Sequence, residues 1–131
     1  MNIIITGASR GIGYETAKRI AAIGDNNIVA IARNESKLKD LKNACIRENV
    51  QAHLFPIVFD LENTEPFEGN LIIEIKKHIN NIDIVINNAG LLVNKPFDKL
   101  SESEINRIIQ VNLTAPTKLI KTLLPLMNRP G

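Results

Sequence analysis

Three glycines near the amino terminus have the spacing and the flanking residues of an anion-binding turn. Gly7, Gly11 and Gly13 follow a β-branched apolar run at residues 3–5, and residues 14–23 have the periodicity of an amphipathic helix. Glycine permits positive φ and lets a ligand approach the backbone closely. A helix that begins here directs its unpaired N–H groups and the positive end of its dipole at the turn. The arrangement suits a pyrophosphate, and a glycine-rich turn without a ligand is the alternative interpretation.

Apolar segments alternate with amphipathic segments along the chain, which predicts an α/β fold. Strands are expected at residues 2–6, 28–32, 52–59 and 82–86. Helices are expected at residues 12–23, 35–48, 69–79 and 102–127. Continuously apolar strands are buried on both faces, so the pattern predicts a Rossmann-like, doubly wound parallel sheet with helices on both sides. Pro56 has no N–H for a strand ladder, which places the third strand at an edge, as the strand order 3-2-1-4 requires.

Turn and cap residues support these boundaries. Gly24 is expected to end the first helix in a left-handed conformation, and Asn34 is expected to cap the second. Ser101 and Glu104 have the spacing of a capping box before the last helix. A loop is expected over residues 60–66 and a turn over residues 127–131.

Length and composition limit the classes of function. The 131 residues are enough for one domain with a core, and 44% apolar with 23% charged residues is ordinary for a globular α/β protein. A net charge of +2 without a basic block gives no indication of nucleic-acid or membrane binding. His53 and His78 stand apart, so no metal site is expected. Cys45 is the only cysteine, which favours a reducing compartment such as the cytoplasm.

Two motifs carry a resemblance to a known family. The glycine turn, TGASRGIG at residues 6–13, resembles the cofactor loop of the short-chain dehydrogenase/reductase family. A second motif, NNAG at residues 87–90, follows the fourth expected strand and resembles the Asn-Asn-Ala-Gly segment of that family. Its amide side chains both donate and accept hydrogen bonds, which suits a link between neighbouring strand ends. The resemblance implies an NAD(P)-binding Rossmann domain over residues 1–131, the amino-terminal part of such an enzyme.

Two arginines and a missing carboxylate favour NADP over NAD. In a Rossmann unit an acidic residue about 20 residues beyond the glycines binds the ribose 2′-OH of NAD, whereas an arginine accommodates the 2′-phosphate of NADP. Ala32 stands where the NAD-preferring members of the family have aspartate, Arg33 follows it, and Arg10 lies in the glycine turn. A guanidinium binds phosphate bidentately. NADP is therefore the expected cofactor, and solvated loop arginines are the alternative.

Two further polar residues match the family by position. Asp60 resembles the aspartate that hydrogen-bonds the adenine ring, although an aspartate after a strand is also a common turn residue. Asn112 matches the catalytic asparagine. Pro116 supports this match, because it lacks an N–H and its ring crowds the carbonyl of Asn112. In the family the freed carbonyl holds a water of the proton relay, and a plain helix kink is the alternative.

The resemblance assigns roles to fifteen positions by their place in these motifs. Asn112 is expected to be catalytic, as the relay residue. Cofactor contacts are expected at Thr6, Gly7, Ser9, Arg10, Gly11, Ile12, Gly13, Arg33, Asp60, Leu61, Asn88, Ala89, Gly90 and Val111.

Residues 1–131 contain no match for the family's other catalytic residues. The family also uses a serine and a tyrosine, with a lysine four residues after the tyrosine that lowers its pKa. Tyr14 and Lys18 have that spacing, but they lie on the helix at the phosphate end of the expected site, so Tyr14 is interpreted as a helix-surface or packing residue. The sheet is expected to be truncated before a fifth strand, and the 131 residues alone are expected to be inactive.

The favoured interpretation is therefore the cofactor-binding half of an NADP-dependent oxidoreductase that acts on a small-molecule carbonyl or alcohol. A non-catalytic dinucleotide-binding module and an inactive remnant are the alternatives. Self-association as a homodimer or a higher oligomer is expected, through the open edge of the fourth strand or the apolar face of the last helix. That face is expected to include Leu113, Leu119, Ile120, Leu123 and Leu124.

Overall fold

A parallel four-stranded sheet forms the centre of the fold. The computed structural model describes residues 1–63 and 67–128. The strands are β1 (Asn2–Thr6), β2 (Asn27–Ala32), β3 (His53–Val58) and β4 (Ile84–Ile86). They are arranged in the order β3-β2-β1-β4, and every neighbouring pair is parallel. The predicted Rossmann-like order is confirmed, and so is the place of Pro56 on the edge strand β3, opposite Ala30 of β2.

Within the described residues, five α-helices connect and follow the strands. They are α1 (Gly11–Ala22), α2 (Glu35–Glu48), α3 (Ile72–Lys76), α4 (Glu102–Ile109) and α5 (Ala115–Leu123). The predicted caps are confirmed. Gly24 has φ +108° after the end of α1, and Oδ1 of Asn34 accepts a hydrogen bond from the backbone N–H of Lys37, at 2.9 Å. Ser101 and Glu104 form a reciprocal capping box at the start of α4.

The alternation of side chains along β1 divides the core into two layers. Ile3 and Ile5 pack with Ala17 of α1 and Leu38 of α2 on one face of the sheet. Ile4 packs on the other face, with residues of α3 and α5. All three isoleucines are almost completely buried, which is why the strand sequence is continuously apolar. The two layers cover both faces of the sheet, and its parallel strands have their carboxyl ends at the same edge.

Several segments are shorter than the sequence predicts, among them β3, which lacks one expected residue at each end. β4 was expected from residue 82 but begins at Ile84, because Oδ2 of Asp83 accepts the N–H of Asn2 at 2.7 Å in place of a backbone carbonyl. The third helix was expected over residues 69–79, whereas the chain forms a π-helical turn at Phe67–Leu71 and then α3. The apolar positions predicted for that helix are nevertheless buried: Leu71, Ile72, Ile75 and Ile79. Residues 64–66 of the expected loop lie outside the described residues.

The continuous helix predicted for residues 102–127 is wrong. α4 is followed by a π-helical turn at Gln110–Thr114, then by α5 and a 3₁₀ turn at Leu124–Leu126. Within the π turn the N–H of Ala115 bonds to the carbonyl of Gln110, five residues earlier. Pro116 follows at once and has no N–H to donate, so the interruption falls where the proline chemistry places it.

The apolar face predicted for self-association on the last helix is also corrected in part. Leu119 and Leu123 are completely buried in the core against the sheet, whereas Leu113 and Leu124 are exposed. Two residues before β4, Ile82 forms a single parallel bridge with Met127, and its N–H donates to the carbonyl of Leu126 at 2.8 Å. The segment that leads into β4 is therefore already paired, whereas the bridge does not extend to β4 itself. Residues 129–131 of the expected turn lie outside the described residues.

Candidate functional site

The glycine turn lies between the end of β1 and the start of α1. Gly7 has φ +68° and Gly11 has φ +60°, a region that side chains with a Cβ rarely adopt. A Cβ on Gly7 would lie 2.7 Å from the Cα of Ala89, and one on Gly13 would lie 2.6 Å from the carbonyl oxygen of Gly7. At Gly11 no atom lies within 4 Å of such a Cβ. Gly7 and Gly13 are thus required by packing, whereas Gly11 borders open space.

The motif at residues 87–90 is joined to the glycine turn by hydrogen bonds. The hydroxyl of Thr6 accepts the backbone N–H groups of Asn88 and Ala89, at 3.2 and 3.1 Å. The side-chain amide of Asn88 donates to the carbonyls of Thr6 and Gly7, both at 3.2 Å. The amide-mediated link between strand ends is therefore observed, and it aligns the ends of β1 and β4 beside the turn.

A groove of about 370 Å³ opens along the carboxyl ends of the strands. It is lined by the glycine turn, by the ends of β2 and β3, and by the segment after β4. The positive end of the α1 dipole faces it, since α1 begins at Gly11 in the groove wall. Arg10, the residue before α1, provides no side-chain cap for its first turn. The N-terminal N–H groups of α1 and a guanidinium thus face the same space, which suits a diphosphate.

The opposite end of the groove has mixed charge. Arg33 donates to Oε1 of Glu62 at 2.9 Å and lies 4.0 Å from Oδ1 of Asp60. Asp60 shapes the turn after β3, since its Oδ1 accepts the N–H of Glu62 at 3.0 Å and its carbonyl accepts that of Asn63. The turn role of Asp60 is therefore observed, and its carboxylate still borders the groove.

Arg107 of α4 completes a charged cluster with Glu62. Its Nε donates to Oε2 of Glu62 at 2.8 Å, and its Nη2 donates to Oε1 at 2.9 Å. The hydrogen bond from Arg107 lowers the pKa of the Glu62 carboxyl, and the same contact raises the pKa of Arg107. The carboxylate of Glu62 therefore stays ionised at neutral pH, with one guanidinium on each side.

Asn112 lies in the π-helical turn and holds the segment that follows β4. Its Oδ1 accepts the N–H of Leu91 at 2.7 Å, and its Nδ2 donates to the carbonyl of Leu91 at 2.9 Å. The side-chain amide of Asn112 thus bonds to both the N–H and the carbonyl of Leu91, and this pair of bonds fixes the loop between β4 and α4. Asn112 itself does not line the groove, although Leu91 and Val111 do.

The groove brings together most of the cofactor residues that the sequence predicts. Thr6 and Gly13 are the exceptions, since both are buried and shape the turn from behind. Sequence reasoning did not include five of the lining residues among its cofactor contacts: Ile31, Ala32, Phe59, Glu62 and Leu91. Glu62 follows the Asp-Leu pair directly, but its partner Arg107 is 45 residues away, so no local pattern indicates the contact. Tyr14 is half-buried and packs against the core layer of α1 and α2, which confirms its packing interpretation.

The described residues contain neither a helix that could span a membrane nor a cluster that could hold a metal ion. Over residues 1–63 and 67–128, none of the helices has the length and apolar character needed to cross a membrane. Within the same part of the chain, His, Cys, Asp and Glu side chains nowhere gather in threes with a geometry that could hold a metal ion.

The fold is a Rossmann-like domain with a groove at the carboxyl ends of its parallel strands. Residues 1–131 match the family model described as short chain dehydrogenase, so the chain belongs to that family. It is 34% identical over 129 residues to the ketoacyl reductase HetN of Nostoc sp., an alignment that covers 98% of this chain and 44% of HetN. The chain thus spans less than half the length of this curated relative.

Two solved structures extend the likeness to the backbone. A metagenomic short-chain oxidoreductase in complex with NADP matches with a TM-score of 0.85 and 26% identity, over 96% of this chain and 56% of that structure. An alcohol dehydrogenase from Thermococcus sibiricus, complexed with 5-hydroxy-NADP, also matches with a TM-score of 0.85, at 28% identity over 95% of this chain and 52% of that structure. Both carry an NADP-type ligand on the same fold.

Proposed function

We propose that this chain binds NADP in the groove and forms the cofactor-binding part of an oxidoreductase that transfers hydride to or from a small-molecule carbonyl or alcohol. The observation that carries the proposal is the convergence of the glycine turn, the first turn of α1 and Arg10 on one groove. Membership of the short chain dehydrogenase family supports the reaction class. A non-catalytic dinucleotide-binding module is an outcome of the experiment below.

The preference for NADP is supported by the residues at the end of β2. Ala32 offers no carboxylate to a ribose 2′-OH, while Arg33 borders the groove directly after it. The pairing of Arg33 with Glu62 is a single hydrogen bond from an exposed guanidinium to a half-buried carboxylate, and a phosphate can replace that carboxylate as the partner of Arg33. The two related structures with NADP-type ligands agree with this preference.

The residues of the chain would divide the work of binding along the groove. The first turn of α1 and Arg10 would hold the diphosphate, and Gly11 leaves the space that its oxygens need. Asp60 and Leu61 would contact the adenine, and Ala89, Gly90 and Val111 would line the path toward the nicotinamide. When bound, the cofactor supplies the hydride donor or acceptor. Asn112 would position the loop at Leu91, which borders the groove, and serve as the relay residue.

A calorimetric titration of the 131-residue chain with NADPH and with NADH tests the binding proposal. NADPH is expected to bind more tightly, and Arg33→Gln is expected to weaken NADPH by about tenfold with little effect on NADH. Arg47→Gln, at an exposed position of α2, is the matched control and should change neither affinity. Equal affinities would contradict the NADP preference, and no binding of either nucleotide would contradict the site.

The mass of the natural gene product tests the oxidoreductase part of the proposal. A product about as long as the curated relatives is expected, with a serine and a Tyr-x-x-x-Lys motif in its added residues. It should oxidise NADPH in the presence of a reactive carbonyl compound. A natural product of only 131 residues that binds NADPH without turnover would instead support the non-catalytic module.

Self-association belongs to the same proposal. Ile109, Leu113 and Leu124 are exposed apolar side chains on or beside α4 and α5, and Ile84 is exposed on β4. Unpaired apolar surface and a strand edge favour contact between copies. Sedimentation at micromolar concentration should therefore show a dimer or a larger species, and a monomer would contradict this part of the proposal. A cytoplasmic location stays a prediction from the single cysteine.

A further inference from the structure

Glu62 binds two arginines that come from different parts of the fold. Its Oε1 accepts hydrogen bonds from Nη1 of Arg33 and from Nη2 of Arg107, both at 2.9 Å. Its Oε2 accepts a third, from Nε of Arg107, at 2.8 Å. Arg33 follows β2 in the groove wall, whereas Arg107 lies on α4. The carboxylate of Glu62 therefore connects Arg33 in the groove wall with α4, the helix that carries Arg107.

The two arginines are not held equally. Arg107 reaches both carboxylate oxygens, and such bidentate pairing is the stronger geometry. Arg33 reaches only Oε1, which it shares with Arg107, and its side chain is 59% exposed compared with 45% for Arg107. Arg33 is therefore the arginine that can leave the Glu62 carboxylate at the lower cost in free energy.

The charge of Glu62 opposes the use of Arg33 for a phosphate. Glu62 borders the groove, and its backbone N–H donates to Oδ1 of Asp60. Its carboxylate therefore stays close to the place where Arg33 would contact a ligand phosphate. A carboxylate left without a partner beside a phosphate is repelled by it and draws Arg33 back. A carboxylate that keeps a bidentate arginine opposes the phosphate much less.

We propose that Arg107 is a positioning residue for the choice of cofactor: it keeps Glu62 paired when Arg33 turns from Glu62 to the 2′-phosphate of NADP. The inference rests on the proposed preference for NADP and adds to it a residue outside the groove. Arg107 does not contact the cofactor in this account. It acts only through the carboxylate of Glu62, so its effect must vanish when that carboxylate is removed.

A double-mutant cycle measures this dependence. The ratio of NADH to NADPH dissociation constants is determined by calorimetry for the 131-residue chain and its variants. Arg107→Gln is expected to lower the ratio by roughly threefold to tenfold, the range for a charged hydrogen bond near the surface. Glu62→Gln is expected to raise the ratio, because the competing charge is gone. In the Glu62→Gln background, Arg107→Gln should have no further effect.

Two further variants separate this account from a structural role. Arg107→Lys keeps the charge and loses the bidentate geometry, so it should give an intermediate ratio. Arg47→Gln on α2 is the matched control, and it should leave the ratio unchanged. Circular dichroism on each variant establishes that the fold is retained before its ratio is compared.

The outcomes distinguish this inference from the proposal on which it rests. A wild-type chain that binds NADPH and NADH equally would contradict both. A wild-type chain that prefers NADPH, with an unchanged ratio in Arg107→Gln, would overturn the role of Arg107 alone. The same follows if Arg107→Gln lowers the ratio equally with and without the Glu62 carboxylate.

Discussion

Thr6 accepts two hydrogen bonds from Asn88, one at its hydroxyl from the backbone N–H and one at its carbonyl from the side-chain amide, each 3.2 Å long. The two residues are 82 positions apart in the chain. Their contact joins the end of β1, where the glycine turn begins, to the segment after β4. The geometry of the groove therefore depends on a pair of polar side chains that are largely shielded from solvent.

Removal of the Thr6 hydroxyl is expected to destabilise the fold. Thr6→Val keeps the shape but removes the acceptor of the Ala89 N–H, whereas the N–H of Asn88 keeps the carbonyl of Ile86 at 3.1 Å. The expected cost is about 1–3 kcal/mol in the free energy of unfolding. Thr6→Ser retains the hydroxyl and is the control. Urea denaturation checks the difference. If Thr6→Val were as stable as Thr6→Ser, the hydroxyl would not hold the segment after β4.

Gly11 and Gly24 form a matched pair for the binding role of the turn. Both have positive φ, and at both the space for a Cβ is open. An alanine at either position should cost about 1 kcal/mol of stability from backbone strain. Only Gly11→Ala places a methyl group in the groove, so it alone should weaken NADPH in a calorimetric titration. An equal loss of affinity in Gly24→Ala would show that the effect is one of stability.

Asn112 is expected to protect the backbone at Leu91. Asn112→Ala removes both hydrogen bonds to Leu91, so the amide of Leu91 should exchange its hydrogen faster with solvent. Asn112→Asp keeps the acceptor for that amide and should retain most of the protection. Asn106→Ala, at an exposed position of α4, is the control. The exchange rates can be read by NMR, and unchanged exchange in Asn112→Ala would contradict the anchoring role.

Asp83 makes the stability dependent on pH. The hydrogen bond from the N–H of Asn2 is the first cause that lowers the pKa of this carboxyl below its ordinary value of 3.8, and one from Asn128 adds to it. At pH values above this ordinary pKa, the ionised carboxylate therefore stabilises the folded chain. This contribution to stability is lost as the pH falls through the lowered pKa of the folded state.

Asp83→Asn tests this contribution. The variant should be less stable than the wild type at neutral pH, and the difference should shrink as the pH falls below about 4. Urea titrations over this range provide the measurement, with Asp40→Asn at an exposed position of α2 as the control. A difference that stays constant with pH would exclude the carboxylate as its source.

Local patterns were enough to predict the sheet and the caps of the helices beside it. The apolar strands, Pro56 and Gly24 each have a physical reason that operates within a few residues, and each lies where that reason places it. Helix interruptions were harder to predict. Pro116 indicated a disturbance, but the π-helical form of the turn goes with contacts distant in sequence, such as the pair of hydrogen bonds between Asn112 and Leu91.

The charged end of the groove could not be predicted because it depends on distant contacts. Glu62 and Arg107 lie in different elements, and neither belongs to a motif. Arg33 is recognisable from its place after β2, but its pairing with Glu62 appears only in the folded chain. The same holds for Leu119 and Leu123. Their spacing predicts an apolar helix face, but only the folded structure shows that this face packs against the sheet.

The most direct test of the central claim is an NMR titration of the ¹⁵N-labelled chain with NADPH. The account predicts that the largest chemical-shift changes fall on the amides of Gly7, Gly11, Ala89 and Gly90, and that Arg33→Gln reduces the response at the same nucleotide concentration. No shift at these amides, or changes centred instead on the shallow surface around Glu102 and Asn106, would contradict a dinucleotide site at the glycine turn.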